Sequence, residues 1–187
     1  MFSRIMVKVN VGCGRDYREG WLNADINRGV KADIYLDMGE GLPFRDNMVG
    51  RIMLDNVLEH VPRDRYFGFL EELHRVCAPG AEIEVYAPHY SGMFAFKHPA
   101  HYVYFGIGSF DLFDDEAPFN GERYINARFR VRDQRLLFFH HNLVTHPWLS
   151  KLPINWLFNW APVWQLLMER FQFCGFDEIY YRLEVLK

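Results

Sequence analysis

Cysteine is scarce and unpaired in this sequence. The three cysteines, Cys13, Cys77 and Cys174, lie far apart, and no two of them form a Cys-x-x-Cys pair. This spacing excludes a zinc ribbon and a framework of several disulfides. The sequence therefore predicts a reducing compartment, the cytoplasm.

An excess of basic charge and a long apolar run are also missing. The 21 Lys and Arg residues against 24 Asp and Glu give a formal net charge of -3. This balance disfavours general binding to nucleic-acid backbones. The first ten residues lack the apolar core and the cleavage site of a secretion signal. The most apolar later run, residues 154–168, is too short and too polar to span a membrane, so we expect no transmembrane segment.

Apolar and aromatic residues are abundant. Of the 187 residues, 50% are hydrophobic and 17% are aromatic, which indicates a folded chain able to bury a core. Because many aromatic residues follow Tyr86, the two halves differ in composition. We predict a single domain, with a ligand-binding half over residues 1–88 and a substrate-side or lid half over residues 89–187.

The first half alternates apolar strands with short connections. Strands are predicted over residues 7–11, 21–26, 32–37, 51–56 and 82–87, with a helix over residues 62–77. This order favours an α/β fold with a Rossmann-like, doubly wound and mostly parallel sheet. Only about nine residues separate the first two strands, fewer than a parallel crossover with a helix needs. We therefore expect a reduced first helix.

The aromatic second half is predicted to close the sheet with antiparallel strands. A strand over residues 128–139 is expected to pair with a last strand over residues 177–186. Ser109 is a candidate N-cap for a short helix through Phe113, and a second short helix is predicted over residues 162–171.

The first strand runs into a Gly-x-Gly turn, Gly12-Cys13-Gly14, which allows backbone to approach a ligand closely. Asp25 ends the second predicted strand, where a carboxylate can accept from both hydroxyls of a ribose. Asp37 ends the third. It can accept from an adenine amino group, or it can cap the turn that leads to Gly39.

Five segments in the first half resemble, in order and spacing, the class I S-adenosylmethionine-dependent methyltransferases. They are Gly12-Cys13-Gly14, Asn23-Ala24-Asp25-Ile26, Asp37 with Leu42-Pro43-Phe44, Asn56-Val57-Leu58-Glu59-His60-Val61, and Leu73-His74-Arg75-Val76-Cys77-Ala78-Pro79-Gly80. The sequence is most similar to the small predicted methyltransferases of the type-11-like family, which continue to a Pro-x-His pair, here Pro99-Ala100-His101.

The resemblance implies S-adenosyl-L-methionine as the cofactor and assigns a contact to each strand end. The glycine turn, Gly12, Cys13 and Gly14, is expected to face its amino-acid part. The ribose is expected at Asp25 and Ile26, the adenine at Asp37 and Met38, and the sulfonium at Asn56 and Val57. His60 is expected beside the cofactor as a turn-stabilising hydrogen bonder.

One departure from the family pattern concerns the glycine turn. Asp16 replaces its usual third glycine, so Arg15, Asp16 or Tyr17 is expected to close over the cofactor. A dinucleotide-binding fingerprint fits less well, because it requires glycine at the position of Tyr17.

Methyl transfer from a sulfonium is an in-line displacement, for which the protein supplies mainly proximity and a suitable field. A hydroxyl acceptor would benefit from a base, and His89 and His101 are the candidates, since both follow the fifth strand at the ligand edge. The histidine spacings match no known metal motif, so no metal site is predicted.

These inferences favour methyl transfer to a small-molecule, sugar or lipid-linked acceptor. The Trp-rich segment 148–164 can form core, a lid, a homodimer surface or a membrane-surface contact. A stripe of Arg128, Arg130, Arg132 and Arg135 can bind an anionic acceptor or form a solvated strand face. Two other functions stay open: a non-catalytic cofactor-binding module, and a metal-assisted hydrolase built on the histidines.

Overall fold

The structure is a computed structural model that describes residues 6–117, 124–139, 141, 153–171 and 175–187. The strands are β1 (Val7–Val11), β2 (Leu22–Asp25), β3 (Ile34–Tyr35), β4 (Val49–Asp55), β5 (Cys77–Pro88), β6 (Arg128–Leu137) and β7 (Glu178–Leu186). The α-helices are α1 (Arg63–Val76), α2 (Met93–Lys97), α3 (Ile154–Phe158) and α4 (Pro162–Phe171). Short 3₁₀ helices cover Met38–Glu40, Leu58–His60 and Asp111–Phe113.

All seven strands belong to one sheet, in the order β3-β2-β1-β4-β5-β7-β6. The pairs from β3 to β5 are parallel, whereas β7 runs antiparallel to both β5 and β6. This arrangement confirms the mostly parallel sheet and the pairing of the last two strands. The strand order reverses between β1 and β4, and open α/β sheets bind their ligands at such a reversal, beyond the carboxyl ends of the strands.

No helix lies between β1 and β2, which confirms the reduced crossover. Two buried asparagines satisfy the backbone of the connecting loop instead. Asn10 Nδ2 donates to the Asp16 carbonyl at 2.7 Å and to Asn23 Oδ1 at 3.1 Å. Asn23 Oδ1 also accepts the Arg18 N–H at 2.8 Å, and its Nδ2 donates to the Arg18 carbonyl at 3.0 Å. Side-chain amides thus replace the hydrogen bonds that a helix would make internally.

Helix α1 packs one face on the sheet through Phe69, Leu70, Leu73 and Val76, which are all buried. It ends one residue earlier than predicted, because β5 begins directly at Cys77. The predicted fifth strand over residues 82–87 is therefore too short. The pairing of β5 with β4 shifts register near the start of the strand, so its first residues do not show a regular strand pattern.

In the second half, α4 has the predicted bounds, and β6 and β7 match the predicted strands within two residues. The Ser109-capped helix is wrong. Only a 3₁₀ turn follows, with Phe110 at its N-cap position and no side-chain cap. The Ser109 hydroxyl instead accepts the Gly106 N–H at 2.9 Å. Among the described residues, no helix combines the length and the apolar character needed to cross a bilayer.

Candidate functional site

The glycine turn lies at the carboxyl end of β1, beside the ends of β2 and β4. Gly12 and Gly14 have φ angles of +64° and +51°, in the left-handed region that favours glycine. A Cβ at Gly12 would lie 2.5 Å from Val57 Cγ2, so Gly12 lets the turn pack on the residues after β4. At Gly14 the nearest atom would be the Gly12 carbonyl oxygen, 4.0 Å away. The turn is therefore closed on the β4 side and open at Gly14.

Asp25 ties this turn to the end of β2. Its side chain accepts the Gly14 N–H on Oδ2 at 2.7 Å and the Asn27 N–H on Oδ1 at 2.8 Å. The residue is only 9% exposed, whereas the next residue, Ile26, is 62% exposed. Each carboxylate oxygen has more than one lone pair, so Asp25 can hold the loop and still accept from a ligand.

Asp37 and Tyr17 have partners within the protein. Asp37 Oδ1 accepts the Gly39 N–H at 2.8 Å and caps the 3₁₀ helix that begins at Met38, in agreement with the turn-capping alternative. The Tyr17 hydroxyl donates to Asp33 Oδ1 at 2.8 Å, and Lys31 Nζ lies 3.6 Å from the centre of its ring. These contacts hold Tyr17 against the segment before β3.

Beyond β4, a histidine joins two acidic residues. His141 Nε2 lies 3.0 Å from Asp55 Oδ2, and its Nδ1 lies 2.7 Å from Glu178 Oε2. Asn56, at φ +54°, donates from Nδ2 to Asp55 Oδ1 at 2.8 Å and to Glu178 Oε1 at 3.2 Å. The His141 ring stacks on Tyr86, with 3.9 Å between the ring centres.

These contacts set the charge of the acid–histidine group, Asp55, Glu178 and His141. Burial alone would lower the pKa of His141, but its bonds to Asp55 and Glu178 outweigh that effect and raise the pKa to about 9. Burial opposes ionisation of Asp55, yet the hydrogen bonds from His141 and Asn56 hold its pKa below the ordinary value. His141 is therefore a cation at neutral pH, held between the Asp55 and Glu178 side chains.

Glu59 is buried in the turn between β4 and α1. Its side-chain oxygens have no hydrogen-bond partner within the described part of the chain. Burial raises the pKa of its carboxyl to about 8, and the negative charges of Glu178 and Asp55 act in the same direction. Glu59 and the acid–histidine group were not predicted as site residues. Glu59 lies within a quoted motif, whereas no sequence spacing connects Asp55, His141 and Glu178.

The two candidate bases, His89 and His101, lie in different environments. His89 has no exposed surface, and its ring nitrogens lie 2.8 Å from Ser91 Oγ and 2.9 Å from Glu169 Oε1. Both ring nitrogens are thus engaged in a buried environment, which argues against the predicted catalytic role. His101 is half-buried, and its Nδ1 lies 3.1 Å from the Ala95 carbonyl oxygen.

Three other predictions concern His60, the arginine stripe and the Trp-rich segment. His60, at the end of its 3₁₀ helix, bonds through Nδ1 to the Ala100 carbonyl at 3.0 Å, and burial lowers its pKa. All four arginines of the predicted stripe form ion pairs with carboxylates, as a solvated strand face would. The Trp-rich segment 148–164 is described only from residue 153 onward.

Comparisons with known proteins were made by sequence and by structure. No protein-family model matches the chain, and no curated protein matches its sequence. A SAM-dependent methyltransferase from Archaeoglobus fulgidus matches with a TM-score of 0.58 at 15% identity, over 97% of this chain and 87% of that one. A SAM-dependent methyltransferase from Methanosarcina mazei matches with a TM-score of 0.55 at 11% identity, over 99% and 94%.

A third structural neighbour is a geranyl diphosphate methyltransferase solved in complex with SAM. It matches with a TM-score of 0.55 at 13% identity, over 96% of this chain and 77% of that one. All three matches cover nearly the whole of this chain, and they share its Rossmann-like sheet. The chain therefore has the fold of the class I S-adenosylmethionine-dependent methyltransferases.

Proposed function

We propose that this protein is an enzyme that transfers a methyl group from S-adenosyl-L-methionine to a small-molecule, sugar or lipid-linked acceptor. One observation carries the proposal: the glycine turn, Asp25 and the Asn56-Val57 pair meet at the strand-order reversal of a methyltransferase-like sheet. When bound, the cofactor supplies a methyl group already activated on a sulfonium. The protein's part is then to bind, to orient and to provide charge.

The residues at this edge fit such a cofactor. The open side of the turn at Gly14 leaves room for a ligand against backbone, as the amino-acid part requires. Asp25 would accept from the ribose, and the exposed side chain of Ile26 would cover it. Asp37 and Met38 would lie at the adenine. Tyr17 would act indirectly, by holding the loop after the glycine turn against Asp33.

The acid–histidine group supplies charge beside Asn56. The pKa of Asp55 is below its ordinary value, and its carboxylate lies in a largely buried region where solvent screens charge poorly. A carboxylate favours a cation nearby, so Asp55 would attract the sulfonium end of the cofactor. Asn56 links this charge to the end of β4 through its bonds to Asp55 and Glu178.

His101 is the better placed of the two predicted bases. Its Nδ1 faces a carbonyl oxygen, which can only accept, so Nδ1 carries the proton and Nε2 keeps its lone pair. The half-buried ring could therefore take a proton from an acceptor hydroxyl. His89 offers no such access.

The acceptor is proposed to be partly apolar. Helices α3 and α4 and the turn between them expose large hydrophobic side chains to solvent, with Trp156 at 69% and Trp160 at 71% exposure. Others on the same helices are Leu157, Val163, Leu166, Leu167 and Phe171. Such a surface is unfavourable in water unless an apolar group contacts it. A lipid-linked acceptor would provide that group, and the cytoplasm is the proposed compartment.

Titration calorimetry with S-adenosylhomocysteine tests the cofactor site. We expect the wild-type protein to bind and Asp25→Asn to bind at least ~10-fold more weakly, because the ribose loses a charged acceptor. Asp46→Asn is the matched control, since Asp46 is exposed and pairs with Arg75 away from this edge. Absence of binding at millimolar ligand, or equal binding by a folded Asp25→Asn protein, would contradict the proposal.

A second measurement separates the enzyme from a non-catalytic module of the same fold. Protein with radiolabelled S-adenosylmethionine is incubated with a panel of free sugars, small metabolites and lipid-linked sugars. We expect label to appear in a partly apolar acceptor. Binding in the calorimeter without label in any acceptor would favour the module.

A further inference from the structure

Three histidine side chains converge beside the end of β4. His60 ends the 3₁₀ helix after that strand, whereas His98 and His101 belong to the loop after α2. The ring centres lie 5.2 Å apart for His60 and His98, 4.7 Å for His60 and His101, and 5.1 Å for His98 and His101. One ring nitrogen from each residue lies within 4.8 Å of the other two.

Hydrogen bonds to backbone carbonyls hold the two segments together. The Tyr102 N–H donates to the Glu59 carbonyl at 2.7 Å, and Arg63 Nε donates to the Tyr102 carbonyl at 2.7 Å. His60 Nδ1 bonds to the Ala100 carbonyl at 3.0 Å. The loop is thus fixed on both sides of His60, so the cluster is a built feature and not a chance approach of mobile side chains.

The tautomers of two of the rings are those of metal ligands. His60 and His101 each face a carbonyl oxygen through Nδ1, so Nδ1–H donates and the lone pair is on Nε2. Histidines that bind metals almost always donate their other N–H to a carbonyl, a carboxylate or water in this way. His98 differs, because its Nδ1 accepts the Ala100 N–H at 3.2 Å.

We propose that His60, His98 and His101 bind one divalent transition-metal ion of the zinc class. Imidazole nitrogen suits zinc, copper, nickel and iron, whereas magnesium and calcium require oxygen ligands. Nitrogens around one zinc ion are about 3–3.5 Å apart, so the cluster must contract slightly. The exposed ring of His98 can turn to allow this, at the loss of its bond from Ala100.

Three protein ligands leave a fourth position for water or substrate, as in catalytic zinc sites and unlike closed structural ones. If the proposed methyl transfer holds, an acceptor hydroxyl could take this position. The metal would lower the pKa of that hydroxyl and its proton would pass to solvent water, which removes the need for His101 as a base. This role depends on the proposed function, whereas the metal site does not.

The test uses protein freed of metal with a chelator and titrated with zinc chloride alone, without cofactor. We expect one zinc ion per chain, with binding at least ~10-fold weaker in His60→Ala and in His101→Ala. His98→Ala should show a smaller loss, because that ring must give up a hydrogen bond to bind. Titration with cobalt chloride should give visible absorption typical of a low-symmetry site with nitrogen ligands.

His74→Ala is the matched control, because His74 lies on α1 and bonds through Nε2 to the Leu186 carbonyl at 2.7 Å. Thermal unfolding of each metal-free variant shows whether it is folded. Because His98 is exposed, we expect His98→Ala to fold like the wild-type protein. Absence of zinc binding by the wild-type protein at micromolar metal would overturn the inference. So would binding that persists unchanged when His60, His98 and His101 are all replaced by alanine. Neither result bears on S-adenosylhomocysteine binding, so failure of this inference is distinguishable from failure of the proposed function.

Discussion

At the scale of single residues, buried amides and charges hold the site in place of regular structure. Asn23 is the clearest example, because its side chain bonds to both backbone groups of Arg18 in a loop that has no helix. Replacing Asn23 by alanine removes the partner of the Arg18 N–H and leaves the Arg18 carbonyl with the longer bond from the Trp21 N–H at 3.3 Å. We expect a loss of about 1–3 kcal/mol in the free energy of unfolding for each group that becomes buried and unsatisfied, measured by urea denaturation.

Asn27→Ala is the control for this substitution. Asn27 is exposed and its side chain accepts the Gly29 N–H, so its loss should cost less than ~0.5 kcal/mol. Equal losses in the two variants would mean that the asparagine network does not stabilise the crossover.

The acid–histidine group predicts a pH dependence of stability. The pKa of His141 is about 9 in the folded protein, above the ordinary value of 6.5, so the folded state binds this proton more tightly. Its contribution is complete below pH 6.5 and is lost as the pH rises through 9, amounting to up to roughly 3 kcal/mol. The melting temperature should therefore decrease as the pH rises from 6.5 to 9, and this decrease should be less steep in His141→Gln.

The diagnostic measurement compares the slope of melting temperature against pH in the wild-type protein with the slope in His141→Gln. Glu59, whose pKa is raised to about 8, also makes the wild-type protein less stable as the pH rises, whatever His141 does. The variant should be less stable than wild type at pH 6, since Asp55 and Glu178 lose their cation. Identical slopes would mean that His141 is not protonated in the fold.

At the scale of elements, the turn after β1 depends on its contact with the residue pair after β4. Gly12→Ala would combine a left-handed backbone with a Cβ only 2.5 Å from Val57 Cγ2. Gly20→Ala shares the positive φ, at +76°, but nothing lies within 4 Å of the added Cβ. We expect Gly20→Ala to cost about 1–2 kcal/mol and Gly12→Ala about 1–3 kcal/mol more, by urea denaturation.

A double variant identifies the contact responsible. In Gly12→Ala with Val57→Ala, the smaller side chain makes room for the new methyl group. The combined loss should be smaller than the sum of the single losses by more than ~0.5 kcal/mol. Additive losses would place the strain elsewhere in the turn.

Sequence patterns predicted the elements whose periodicity is regular and local. The pairing of β6 with β7 and the bounds of α4 follow from alternating and helical spacings. The early start of β5 at Cys77 was missed because a register shift breaks the alternation. Ser109 was misassigned because the same residue type can cap a helix or stabilise a turn, and here its hydroxyl accepts the Gly106 N–H.

The site residues that lie at strand ends were predictable from the sequence. Gly12, Asp25 and Asn56 each follow or end a strand, and the parallel sheet brings those ends together. The cluster of His60 with His98 and the hydrogen bond from Asn56 to Glu178 have no such signal. Both join segments that are distant in sequence, so only tertiary packing creates them.

At the scale of the whole molecule, the proposed cofactor would contact the ends of β1, β2 and β4 at once, in a half of the sheet that lacks its first helix. Binding to the folded state alone must then stabilise the entire chain. S-adenosylhomocysteine at 100 times its dissociation constant should add about 2.7 kcal/mol, which corresponds to a rise of roughly 5–10 °C in melting temperature. Adenosine and methionine together, at the same concentrations, should give a smaller rise because neither bridges the three strands. A protein whose melting temperature is unchanged by the intact cofactor product would have the methyltransferase fold without its binding site.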